Sequence, residues 1–223
     1  MLGLVLLLGT SARADEDEGA HVRELFLGEL ATPQEERELQ ATLQGLADTE
    51  EVSSTLGIEY GITERLQVEL SLPYEWMSDG ERTGSLPGVG AGVGFALVDA
   101  EGGLQVVSGV EVAVPTNGER SLGYEGLLAA HRPLGPVHLN LQVGGEREEE
   151  ETELAAGLSL PAEWVSPLLE FTWSEERPLG AAGVALAPSG DVENGLAGLV
   201  DLGTGALGAT ACLTMERAFG EEQ

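Results

Sequence analysis

From Glu35 to Phe219 apolar and polar residues alternate in short runs, each stopped by Gly, Pro, Asn or Asp. The stretch Leu56 to Tyr74 shows the pattern: Leu66, Val68, Leu70, Leu72 and Tyr74 fall on one side of an extended chain, and Arg65, Gln67, Glu69 and Ser71 on the other. A period of two belongs to the β-strand. Because the polar side carries ionised carboxylates, it faces water, while the unbroken apolar side needs a nonpolar medium. Those two demands together predict an outer-membrane barrel.

Twelve such segments can be read: Glu35 to Leu46, Glu51 to Tyr60, Glu64 to Trp76, Gly88 to Val98, Leu104 to Val114, Leu122 to His131, Val137 to Gly145, Thr152 to Leu160, Trp164 to Trp173, Leu179 to Ala187, Val192 to Leu202 and Gly205 to Phe219. The first also fits a short amphipathic helix, since Gln and Glu are good helix formers. Strands of about ten residues cross a bilayer when tilted, and an even count suits a single-chain barrel with both termini in the periplasm. Turns near Ile62, Ala100, Leu134, Ala162 and Ser189 are short and predicted periplasmic; the longer connections Met77 to Pro87 and Pro115 to Ser121 fall outside. The expected fold is all-β: a single antiparallel up-and-down transmembrane β-barrel over 35–219, with a tail at 220–223.

The leader MLGLVLLLGTSARA, with an apolar stretch from Leu2 to Leu8 and Ala12-Arg13-Ala14 at its end, reads as a signal peptide over 1–14, and 15–34 as an N-terminal periplasmic segment. No other apolar run approaches the roughly 18 residues of a spanning helix. With 39 acidic and 10 basic side chains, all ten of them Arg, the net charge is −29. Such a surface repels nucleic acid and anionic head groups, so neither is an expected partner. The single Cys212 sits in a strand pattern among small residues and reads as a structural thiol.

If the apolar sets face lipid, the opposite parity turns Glu59, Glu69, Glu111, Glu125 and Glu170 toward the lumen, with Arg65 as a basic companion. Carboxylates along a narrow passage concentrate cations and repel anions. A cation-preferring or neutral-solute pathway is therefore expected, and a wet, closed interior in which the same carboxylates bond to Ser and Gln is its alternative. Tyr60, Tyr74, Trp76, Tyr124, Trp173 and Phe219 fall near strand ends, where interfacial aromatics sit. Gly88-Val89-Gly90 and Gly92-Val93-Gly94 lack the helix that a dinucleotide loop requires and read as small inward positions. Glu148 to Glu151 reads as a solvated outer-loop tip.

Of the three histidines, His131 and His138 flank a predicted periplasmic turn, the wrong end for a rim hydrolase, and no Ser beside them has a distinctive context. The sequence therefore predicts no catalytic residue, no metal site and no cofactor. The expected partners are outer-membrane lipid and small-molecule solutes. A secreted soluble β-sandwich or clam-like binding module would also alternate, and a structural barrel that conducts nothing would share every feature above.

The stretch EYGITERLQVELSLPYEW, then a Gly-rich strand, then VEVAVPTNGER ahead of LGYEGLLAAHRPLGPVHLNLQVGGE, resembles outer-membrane transporter-like proteins assigned to the phenol-degradation meta pathway. Tyr60 to Leu66 with Leu72-Pro73-Tyr74 is similar to that family's first full hairpin, and Val114 to Gly118 to its outer loop. The resemblance implies a secreted outer-membrane barrel with a transport role for small solutes, hydrophobic or aromatic compounds among them. It carries over no catalytic residues.

Overall fold

The computed structural model describes residues 34–48, 51–77, 81–82, 84–100, 103–116, 122–146, 151–174, 178–189 and 191–219. The proposed signal peptide, nearly all of the N-terminal segment, most of the Glu148 to Glu151 run and the C-terminal tail lie outside them. Twelve strands follow one another: β1 (Glu38–Ala47), β2 (Val52–Thr63), β3 (Leu66–Met77), β4 (Gly88–Asp99), β5 (Gln105–Pro115), β6 (Gly123–Leu134), β7 (Val137–Glu146), β8 (Glu151–Ser159), β9 (Val165–Trp173), β10 (Leu179–Ser189), β11 (Val192–Asp201) and β12 (Leu207–Ala218). Each pairs antiparallel with its chain neighbour, and β1 pairs with β12 from Glu38↔Ala218 to Ala47↔Ala209, which closes the sheet into a barrel. The helical alternative for the first segment is thereby settled in favour of a strand. A two-sheet sandwich is excluded, because one continuous ladder leaves no second sheet to pack on.

The pleat sorts side chains as the alternation dictates. Along β9 the odd residues from Val165 to Trp173 are exposed and Ser166, Leu168, Glu170 and Thr172 are buried. In β12 Thr210, Cys212 and Thr214 are buried, alternating with exposed Ala209, Ala211, Leu213 and Met215. A closed sheet has only an inside and an outside, so the buried set is the interior. The outer face presents Val68, Leu70, Val93, Val110, Leu141, Leu154 and Leu196 in one apolar band. A contiguous apolar surface of that extent is not stable against water. Hydrocarbon is the medium that satisfies it, and the barrel is an outer-membrane one.

The two ends differ. Where the chain termini lie, the connections are 64–65, 100–104, 135–136, 160–164 and 190–191; at the far end they are 48–51, 78–87, 116–122, 147–150, 174–178 and 202–206. The longest loops share the far end, the asymmetry of periplasmic turns and outer loops. Gly135, with φ 68°, supplies the left-handed residue of the two-residue turn between β6 and β7.

Candidate functional site in the barrel interior

Register, rather than sequence distance, assembles the interior. Gln40 of β1 lies opposite Glu59 of β2, Glu59 opposite Glu69 of β3, Glu69 opposite Gly92 of β4, Gly92 opposite Glu111 of β5 and Glu111 opposite Glu125 of β6. The row continues at the positions of Glu146 and Glu151 on β7 and β8. It starts close to the periplasmic end of β2 and ends at the outer tips of β7 and β8, because tilted strands turn a cross-strand row into a ramp. Four of the lumen residues expected from sequence, Glu59, Glu69, Glu111 and Glu125, lie along it. Glu170 also points inward but stands apart on β9, between Gly157 and Ala181.

Like charges placed directly opposite each other on a sheet destabilise it. The ramp sets Glu59 against Glu69 and Glu111 against Glu125, and its register continues with Glu125 opposite Glu146 and Glu146 opposite Glu151. Neighbouring donors offset part of that cost: Gln67 Nε2 donates to Glu59 Oε2 at 3.0 Å and Ser71 Oγ to Glu111 Oε1 at 3.1 Å. No arginine of the described strands answers them from inside. Arg132 and Arg217 pair with the outward Leu139 and Leu39, and Arg217 lies 5.6 Å from the Phe219 ring centre.

Arg65 is a correction to the sequence reading. It sits exposed in the 64–65 turn instead of on the inner wall. Thr63 Oγ1 accepts the N–H groups of Arg65 and Leu66 at 3.2 and 3.1 Å, ending β2 at Thr63 and delaying β3 to Leu66. Parity along the chain is blind to such a stop.

The inner glycines of β4 form a shelf beneath these side chains. A Cβ built on Gly90 would overlap the Ser71 hydroxyl and the Glu111 carboxylate; on Gly92 it would stand 3.2 Å from Glu69 Cδ, and on Gly94 2.9 Å from Gln67 Cγ. The space vacated by β4 is thus occupied by its neighbours, which lie flat against the wall. Gly90→Val is expected to lift Glu111 off that wall and to cost about 1–3 kcal/mol by overpacking. Urea unfolding of the refolded barrel measures it.

The opposite wall carries an apolar patch among polar residues. Leu168, Ala181, Ala185, Ala197, Leu199 and Cys212 cluster inside with Leu46 packed against them. In a ring of twelve, β9 to β12 face β3 to β6 across the interior, so this patch confronts the middle of the ramp. Buried Glu193, Thr210 and Thr214 share that wall. Sequence reasoning missed Glu193, although its parity with Gly195 and Ala197 in β11 carries the signal.

Two polar clusters gather near the periplasmic mouth. On β1 to β3, Gln34 donates from its Nε2 to Gln40 Oε1 at 2.7 Å and from its backbone N–H to Gln67 Oε1 at 3.0 Å, beside Glu59. On β5 to β8, His131 Nδ1 lies 2.9 Å from Gln105 Oε1, and its Nε2 lies 3.1 Å from His138 Nδ1. Asn140 is opposite His131 and Ser159 opposite His138. The histidines flank the 135–136 turn, as expected, and pair on the inner face.

The aromatics lie on the outward parity. Tyr74 and Trp76, with ring centres 4.6 Å apart, Tyr124 and Trp173 stand toward the outer end, and Tyr60 and Phe219 toward the periplasmic end. Trp76 Nε1 donates to Ser54 Oγ at 3.4 Å, giving its polar edge a partner. Exposed Trp164, in the 160–164 turn, joins the periplasmic set.

No family model matches the chain, and no curated protein matches it. Solved structures do. The KdgM porin superposes with a TM-score of 0.65 at 6% identity, covering 79% of this chain and 98% of that one. KdgM porin in complex with disordered oligogalacturonate gives 0.62 at 6%, covering 81% and 99%. The COG4313 outer membrane channel from Pseudomonas putida F1 gives 0.54 at 12%, covering 92% and 100%. At such identities the likeness is one of fold, and the fold is that of outer-membrane porins and channels.

Proposed function

We propose that the barrel is an outer-membrane pathway for small cationic and neutral solutes, hydrophobic and aromatic compounds among them, and that it performs no covalent chemistry. The observation that carries this reading is the carboxylate ramp with no inward arginine on the described strands. In a low-dielectric tube these charges focus a negative potential along the axis, raising cation concentration and excluding anions. The apolar patch of Leu168, Ala181, Ala185, Ala197, Leu199 and Cys212 facing the ramp supports passage of solutes with a hydrocarbon or aromatic body. So does the resemblance to transporter-like proteins of the phenol-degradation meta pathway. A barrel of the same fold in complex with disordered oligogalacturonate supports solute binding by this kind of barrel.

The near-complete burial of Glu193, Thr210 and Thr214 favours a second reading, a barrel whose interior is filled on one side and passes nothing. Planar-bilayer recording of the refolded protein under a salt gradient separates the two. A reversal potential of the sign set by cation flow is expected. Anion preference would overturn the acidic pathway, and silence at all voltages would leave the structural barrel.

A further inference from the structure

We propose that His131, His138 and Asn140 form a binding site for one divalent transition-metal ion on the inner wall near the periplasmic mouth. The site is independent of conduction: it requires only the folded barrel.

The two-residue 135–136 turn between β6 and β7 brings the three residues together. It sets His131 opposite Asn140, and the pleat puts His138, two residues before Asn140, on the same inward face. The nitrogens His131 Nε2 and His138 Nδ1 stand 3.1 Å apart. With metal–nitrogen bonds of about 2.0–2.1 Å, two ligating nitrogens lie about 2.9 Å apart at a right angle and about 3.4 Å apart at the tetrahedral angle. The observed separation falls between these. The rings also bend the right way. Two imidazoles sharing a straight hydrogen bond of this length would hold their centres about 5.4 Å apart; here the centres are 5.0 Å apart. Their axes therefore deviate from a line, as they must to converge on a third point.

The surroundings prepare His131 for this role. Its Nδ1–H donates to Gln105 Oε1 at 2.9 Å, which fixes the lone pair on Nε2. A ligating histidine commonly gives its other N–H to an oxygen acceptor in this way. His138 becomes a ligand when its proton moves from Nδ1 to Nε2, so the pair takes up the ion with no net proton release. The independent pointer is Asn140. The residue is 4% exposed, and its Oδ1 has no hydrogen-bond partner among the described residues. A buried amide oxygen without a partner carries a desolvation cost that a ligand would remove. Two imidazoles and one carbonyl oxygen suit the ions of intermediate softness, Co²⁺, Ni²⁺, Cu²⁺ and Zn²⁺, rather than Mg²⁺ or Ca²⁺. Water completes the shell.

The test is calorimetric titration of the full-length, refolded protein in detergent with NiCl₂ and ZnCl₂. One site per chain is expected, undisturbed by excess MgCl₂. His131→Gln and His138→Gln should each weaken it by at least about tenfold, and Asn140→Asp, which puts an anionic oxygen at the third position, should tighten it by about the same factor. His21→Ala should change nothing. Gel mobility before and after boiling reports whether each variant is folded. If the histidine variants do not fold, Cu²⁺ electron paramagnetic resonance of the His21→Ala protein still decides, since imidazole ligation by the remaining His131 and His138 shows nitrogen splitting and carboxylate ligation does not. An oxygen-only spectrum, the absence of stoichiometric binding, or binding that survives both histidine substitutions overturns the site. Metal binding to a barrel that proves silent in bilayers would sink the transport reading alone. Cation conduction without metal binding would sink only the site.

Discussion

Leu169→Arg is expected to destabilise the barrel by about 2–4 kcal/mol, the cost of an arginine on the lipid face at the bilayer midplane, or roughly 30- to 900-fold in the folding equilibrium. Leu169 is the middle residue of β9, points outward between Leu158 and Ala182, and is 57% exposed. Leu207 is more exposed still, at 72%, but it opens β12 at the outer rim. There the same substitution should cost only about 0–1 kcal/mol, because the guanidinium reaches head groups and water. Urea unfolding of both variants in lipid vesicles, followed by the mobility shift on boiling, measures the difference. Equal effects at the two positions would mean that depth in a hydrocarbon slab does not govern the outer face, and the membrane assignment would fail with it.

Most of the fold was legible because the property that defines it is local. A period of two with polar stops locates strands whatever their partners, so the twelve observed strands overlap the twelve segments read from sequence. What failed was also local, but finer. Arg65 obeys the inward parity of Gln67 and Glu69, yet a hydroxyl at Thr63 ends the strand before parity applies. The ramp was illegible for another reason. Its neighbours are set by register, and register depends on turn lengths and on irregularities such as those between Gly61 and Thr63 or Ala96 and Val98. The glycine row of β4 reads as a thinned wall in sequence, and only the register shows Ser71, Glu69, Glu111 and Gln67 lying across it. The His131–His138 pair stood nearer to being read. Given the Gly135 turn, a two-residue hairpin fixes Pro133 against His138 and His131 against Asn140. Turn chemistry joined to parity would have found it.

The joint replacement of Glu69, Glu111 and Glu125 by Gln is expected to abolish most of the cation preference while leaving the barrel as stable as before or more so. Both halves follow from the same register. Glu111 and Glu125 face each other directly, and Glu69 joins them across Gly92, whose missing side chain lets the charges sense one another without a wall between. Glutamine keeps the shape and the acceptor oxygen, so Ser71 retains a partner in place of the Glu111 carboxylate. Relief of the facing like charges returns about 0.2–1 kcal/mol per pair. The same change removes three inward charges from the middle and outer part of the ramp, and under the proposed pathway the reversal potential in a salt gradient should move most of the way to zero. Raising ionic strength should act on the wild type in the same direction, since the Debye length falls to about 3 Å at 1 M. Under the proposed cation pathway, a residue row that costs stability when charged and selectivity when neutral is one whose charge serves permeation. An unchanged reversal potential in the triple variant would place the selecting charges elsewhere, at Glu59, Glu170, Glu193 or the outer loops, and these three glutamates would then be a burden with no compensating role.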